Sequence, residues 1–291
     1  MKLHSPIATY LCFYRMRLVA VLVLLMALAA PAKAQGIDGA EILTGNAVEG
    51  GLIIARTDPA NQIMLDDSAV EIGENGVFVI GFHRDSDAPV TLQIIAADGR
   101  VKTSLLSPRQ RDYNIQRIEG LKSTMVTPPA TVLARIKSDG DAVRAARQRQ
   151  APLGDFWRGF DWPALGRISG IYGSQRILNG QPRQPHYGID IAAPTGTPVY
   201  APASGLVTLV KDLYFSGRTV VIAHGLGVNS SFLHLDQVDV KLGMMVERGG
   251  LIGTIGATGR ATGPHLDWRI DWQGRRIDPG LLVGAMPDPA S

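Results

Sequence analysis

Residues His265–Trp272 (HLDWRIDW) alternate polar and apolar without a break. His265, Asp267, Arg269 and Asp271 fall on one side, and Leu266, Trp268, Ile270 and Trp272 on the other. Such a period-two run is a strand with one face in a core and the other open to solvent or lining a cleft. Around it lie the short β-prone runs Thr197–Ala201, Gly205–Val210, Thr219–Ala223, Asn229–Leu235 and Leu251–Ile255, separated by Gly/Pro turns. No helical pattern intervenes, which argues for an antiparallel sheet rather than βαβ units. The 33 glycines and 18 prolines in 291 residues point the same way, against a helical bundle. With 45% hydrophobic and 19% charged residues, bulk disorder is excluded.

The amino-terminal third reads differently. Leu18–Ala30 is an unbroken apolar run preceded by Lys2, Arg15 and Arg17 and followed by Ala32-Lys33-Ala34. This describes a secretory signal peptide over residues 1–34. Thirteen helical residues reach roughly 20 Å, short of a hydrocarbon core of about 30 Å, so no stable membrane span is expected after cleavage. Met16-Arg17 also offers a more natural start than Met1. The leader holds Lys2, Arg15, Arg17 and Lys33 and no acid, so its removal takes the formal charge from +3 to −1. A nucleic-acid footprint is therefore not expected. The one cysteine, Cys12, would leave with the leader, excluding a disulfide or a thiol nucleophile in the exported chain.

Residues 35–126 read as a β-sandwich-like module. Val77–Phe82 and Val90–Ile95 are β-rich, and Asp98-Gly99 is a hairpin signal ahead of Val101–Leu106. Residues 127–155 read as helix and linker. Thr127 is placed to cap, Pro128-Pro129 fit a first turn, and Val132, Leu133, Ile136, Val143 and Ala146 form one stripe that Gly140 could interrupt. Residues 156–285 form the second β region.

Chemistry concentrates in that region, where four histidines lie within eighty residues: His186, His224, His234 and His265. In His186-Tyr187-Gly188-Ile189-Asp190 a flat strand would hold His186 and Asp190 about 13 Å apart. They can share an ion only if Gly188 lets the chain bend; otherwise this is a solvent-facing edge. His265 and Asp267 lie about 7 Å apart on one face, serving one site or forming an ordinary polar face with an Asp267–Arg269 salt bridge. In Phe232-Leu233-His234-Leu235, His234 points away from its leucine neighbours. His224 precedes a glycine turn, which favours a structural role. His83 stands alone and reads as structural or surface.

Four stretches together, GIYGSQRILNGQPRQPHYGID, GTPVYAP, VVIAHGLGVNSSFLHLD and ATGPHLDW, resemble the lysostaphin-type (LytM-domain) zinc metallopeptidases that cut peptidoglycan cross-bridges. The resemblance covers roughly residues 160–280. It implies an antiparallel β-sheet peptidase core with a groove, an exported metalloendopeptidase using Zn(2+), peptidoglycan as partner and a periplasmic or cell-envelope location. By motif, His186 and Asp190 match two zinc ligands and His234 matches the histidine that steadies the reacting carbonyl. His265 matches a catalytic histidine and Asp267 the third ligand, where the family has histidine. Two carboxylates and one imidazole would cancel the ion's charge and leave a weaker Lewis acid. The departure keeps open an alternative: a weakened or inactive protein of this type that binds peptidoglycan or regulates a partner hydrolase.

Overall fold

The computed structural model describes residues 36–119 and 130–287. The leader, the alternative start, Cys12 and the Thr127–Pro129 helix start lie outside the described residues. Mainly β structure with antiparallel sheets and a connecting helix was expected, and the described residues have that architecture, with one α-helix among them.

The first segment contributes β1 (Glu41–Thr44), β2 (Leu52–Arg56), β3 (Gln62–Leu65), β4 (Ser68–Val70), β5 (Val77–Gly81), β6 (Val90–Ile95), β7 (Val101–Leu106) and β8 (Ile115–Ile118). They form a three-stranded sheet β1-β2-β5 and a four-stranded sheet β4-β3-β6-β7. The Asp98-Gly99 hairpin is present: the Ala96 amide donates to the Arg100 carbonyl, and Gly99 takes the φ of +83° that a tight turn demands. β8 leaves this arrangement and pairs in parallel with β10 (Gln175–Leu178).

Helix α1 runs over Leu133–Arg147. Gly140 does not interrupt it, contrary to the expectation, because one glycine costs a helix only about 1 kcal/mol and α1 is held by outside contacts. Those contacts differ from the expected apolar stripe. Of that stripe Ala146 is buried as expected, but Leu133 is exposed, and the charged Asp139 is buried. The Asp139 carboxylate accepts the Tyr214 amide at 2.8 Å and sits 3.2 Å from the Lys211 ammonium. Of the arginines near the helix end, Arg144 pairs with Asp141 in solvent. Arg147 is half-buried, donates to Ser231 Oγ at 3.0 Å and faces Asp271 at 3.9 Å. Burial lowers its pKa to about 9, with the Arg276 charge acting in the same direction.

The remaining strands are β9 (Arg167–Gly170), β10, β11 (Gln181–Pro182), β12 (Ile189–Ala192), β13 (Pro198–Tyr200), β14 (Gly205–Leu213), β15 (Gly217–Gly225), β16 (Val228–Val238), β17 (Met245–Val246), β18 (Leu251–Ile255), β19 (His265–Trp272) and β20 (Arg275–Ile277). The principal sheet runs β17-β14-β15-β16-β19-β12-β9, with β13, β18 and β20 attached. The apolar face of β19 is core: Leu266, Trp268, Ile270 and Trp272 are at most 1% exposed. This core is continuous with the first segment, so a Cβ on Gly81 of β5 would meet Trp272 and Ile277 at under 3.0 Å. The opposite, polar face of β19 lines a cavity, and α1 stands on that same side.

Candidate metal centre

The polar face of the sheet and α1 line a cavity of about 1220 Å³. His186, Asp190, His234, His265 and Asp267 all reach it, as do Ile136, Val143 and Arg147 from the helix.

His186 precedes β12 rather than lying on it. The chain bends at Gly188, which brings His186 Nε2 to 3.2 Å from Asp190 Oδ1 instead of strand separation. The Gly188 position is set by sterics as well: a Cβ there would lie 2.4 Å from Asp267 Oδ1 and 2.6 Å from the Trp268 carbonyl. Gly170 does the same for the other acid, since its Cβ would fall 2.1 Å from Asp190 Oδ2. Two glycines thus open the space in which two carboxylates approach one imidazole. The His186 backbone is clamped by Ser174, whose carbonyl accepts the His186 amide, and by Gly173, whose amide donates to the His186 carbonyl, both at 2.8 Å.

β12 and β19 are antiparallel neighbours with Asp190 directly opposite Asp267. One donor atom from each of His186, Asp190 and Asp267 lies within 4.8 Å of the others. His186 Nε2 and Asp190 Oδ1 are buried with no hydrogen-bond partner in suitable geometry. Buried polar atoms without partners cost free energy, and a cation between them would satisfy both. The three donors therefore fit a divalent ion. Desolvation of His186 opposes its charged form, but the neighbouring Asp190 and Asp267 outweigh it and raise its pKa.

The expected Asp267–Arg269 salt bridge is also present. Arg269 Nε reaches the two Asp267 oxygens at 3.0 and 3.1 Å, and Nη2 reaches Oδ2 at 2.5 Å. Asp267 is 3% exposed. Desolvation pushes its pKa up, but the Arg269 charge and hydrogen bonds prevail and hold it below the usual carboxylate range. The salt bridge and the three-donor grouping thus meet on one side chain.

His234 and His265 stand side by side, ring centroids 4.7 Å apart. His234 breaks the alternation expected for its strand. It has φ +64°, its amide donates to the Ser216 carbonyl, and Leu233 and Leu235 are both buried around it. A buried non-glycine residue in the left-handed region is strained, and such strain collects at functional positions. His234 Nδ1 lies 2.7 Å from the Thr258 carbonyl and His265 Nδ1 lies 2.8 Å from the Gly263 carbonyl. A carbonyl only accepts, so both Nδ1 atoms carry hydrogen and both Nε2 atoms are acceptors in the neutral rings. Burial, the largest influence, lowers the His234 pKa and keeps its ring neutral near pH 7.

His224 takes no part. It is fully buried, with Nδ1 2.9 Å from the Ser204 carbonyl and Nε2 2.8 Å from Ser230 Oγ. His83 sits at the surface beside Asp85 and against the Tyr187 ring. The sequence did not disclose the carbonyls of Thr258 and Gly263 that set the tautomers, because those contacts are made by irregular backbone. The Gly-rich run GATGRATG is the one local hint of the tight turns that deliver them.

An antiparallel sheet presenting one imidazole and two carboxylates to a groove, beside two further imidazoles, defines a metallopeptidase-type centre. The model of peptidase family M23 matches residues 184–279. A crystal structure from Pseudomonas aeruginosa assigned to peptidase M23 superposes with a TM-score of 0.66 at 32% identity, covering 84% of this chain and 97% of that one. The chain belongs to peptidase family M23. It is 38% identical over 141 residues to the peptidoglycan DD-endopeptidase ShyA of Vibrio cholerae, covering 48% of this chain and 30% of that protein. It is 40% identical over 104 residues to the DD-carboxypeptidase/endopeptidase Mpg of Neisseria meningitidis, covering 36% of this chain and 24% of that protein. The chain thus spans less than a third of either curated relative.

Proposed function

We propose that the chain is an exported, zinc-dependent metalloendopeptidase of the cell envelope that hydrolyses peptide cross-links of peptidoglycan, with His186, Asp190 and Asp267 as metal ligands and His234 and His265 as catalytic residues. The convergence of three donors beside two imidazoles with open Nε2 atoms carries this reading. The names of the curated relatives support the substrate class. Among the described residues no helix is long and apolar enough to cross a membrane.

Zinc bound at these ligands would polarise the scissile carbonyl and acidify a water. His265 Nε2 takes the proton of the attacking water and returns it to the leaving amine. His234 departs from the role the resemblance implied. Its neutral ring offers Nε2 as an acceptor, so it donates to an oxyanion only after taking up a proton itself. Both Nε2 atoms therefore serve as acceptors, His265 as the base for the attacking water and His234 as a hydrogen-bond acceptor that helps hold that water or a substrate N–H. The cavity and its α1 wall orient a peptide across them.

The second reading is a non-catalytic wall-binding or regulatory protein that uses the same groove. The Arg269 fork favours it, because a cation already sits on Asp267. Release of soluble muropeptides from purified sacculi separates the two. Release that a chelator and His265→Ala both abolish supports the enzyme, and binding to sacculi without release supports the alternative.

A further inference from the structure

Two negative ligands and one neutral ligand leave a divalent ion with no net charge, unlike a site with one carboxylate. The structure supplies the missing positive charge. Arg269 lies two residues beyond Asp267 on the same face of β19, and its Nε and Nη2 both go to that carboxylate. Its guanidinium is close enough for Asp190 to favour its charge as well. Gly188 roofs both partners: its Cβ would lie 2.4 Å from Asp267 Oδ1 and 2.7 Å from Arg269 Cγ. The pair is thus a built unit under one glycine, not a loose surface contact.

We propose that Asp267 and Arg269 act together as the equivalent of one neutral metal ligand, with Arg269 a positioning and charge-setting residue. A carboxylate has about four lone-pair sites, and a guanidinium fork uses the facing ones, leaving others for a cation. With His186, Asp190, Asp267 and Arg269 counted together, the ion keeps a net charge of about +1, the value that two imidazoles and one carboxylate give. The weak Lewis acid expected from Asp267 alone is thereby avoided. The fork also fixes the carboxylate rotamer, so the ligand is pre-oriented.

This inference rests on the metal-dependent reading above, and its test separates the two. Zinc dissociation constants of the full chain are measured by competition with a chromophoric chelator for the wild type, Asp267→His, Arg269→Gln and the double variant. A unit charge a few ångströms from a divalent ion, screened by an effective dielectric near 20, shifts affinity by roughly tenfold or more. Asp267→His leaves Arg269 uncompensated and should weaken zinc binding by at least roughly tenfold. Arg269→Gln leaves an extra negative charge and should tighten it by a similar factor, a direction that structural damage does not produce. The double variant should return to within about threefold of wild type, and Arg269→Lys, which keeps the charge, should stay near it. Thermal melts confirm that each variant is folded. Zinc bound with unchanged or weaker affinity by Arg269→Gln, or a double variant no tighter than Asp267→His, overturns the paired ligand and leaves the metalloenzyme reading standing. No zinc bound by any of them overturns both.

Discussion

Gly188→Ala is the sharpest perturbation this architecture offers. Gly188 has no positive φ, so alanine meets no backbone penalty there and the effect is purely steric. The added methyl would lie 2.4 Å from Asp267 Oδ1, 2.6 Å from the Trp268 carbonyl and 2.7 Å from Arg269 Cγ. None of the three yields easily: one is backbone in a paired strand, and the other two are locked in the fork. Restoring an ordinary contact requires β12 and β19 to part by about 1 Å, and overpacking of this kind costs about 1–3 kcal/mol. For a unit of this size that lowers Tm by several degrees, at about 2–4 °C per kcal/mol. Metal-ligand distances tolerate only about 0.2 Å, so the larger effect falls on the site. Zinc affinity should drop by about 10–100-fold, read by the chelator competition, while circular dichroism shows the sheet intact. Wild-type affinity and Tm in Gly188→Ala would refute the claim that this glycine makes room for the ligands.

Two further outcomes follow from positions outside the site. Burial lowers the His224 pKa to about 4 from 6.5, so the folded state holds the neutral ring. Its contribution is fully present above pH 6.5 and is lost between about 6.5 and 4, as the unfolded chain takes up a proton that the fold refuses; the full span is worth up to about 3 kcal/mol. Urea midpoints should fall across that window and flatten in His224→Gln, and identical slopes in the two proteins would contradict the assignment. Gly140→Ala in α1 meets nothing within 4 Å and should stabilise the chain by about 0.5–1 kcal/mol, seen as a higher Tm with unchanged zinc affinity.

The strands were legible because period two and turn residues are local signals. β6, β7, β18 and β19 begin and end where alternation and Gly/Pro punctuation place them. Bringing His186 to Asp190 was legible as a requirement, since only a bend at Gly188 could close the gap. The placement of α1 was not. Its anchors are Asp139 on the Tyr214 amide and Arg147 on Ser231, polar contacts to distant strands that helical periodicity does not encode. The His234 conformation was hidden for the same reason: alternation assumes an extended residue, and the tertiary pull of the Ser216 and Thr258 carbonyls overrides it. The electrostatics of the site were half visible. The Asp267–Arg269 spacing announces a salt bridge and the motif announces a ligand, but only the fold shows that the carboxylate held in the fork also lies within 4.8 Å of the His186 and Asp190 donors.

The brace behind His186 reaches back to the strand-rich segment that precedes α1. Arg84 Nε donates to the Gly173 carbonyl at 2.9 Å, and β8 zips along β10, the strand that follows the Ser174 hinge. The loop presenting this imidazole is therefore buttressed by residues that a family-level trimming would discard as mere preface. A fragment cut down to the span that matches peptidase family M23 would keep all five polar side chains of the site yet lose the buttress that aims the first of them.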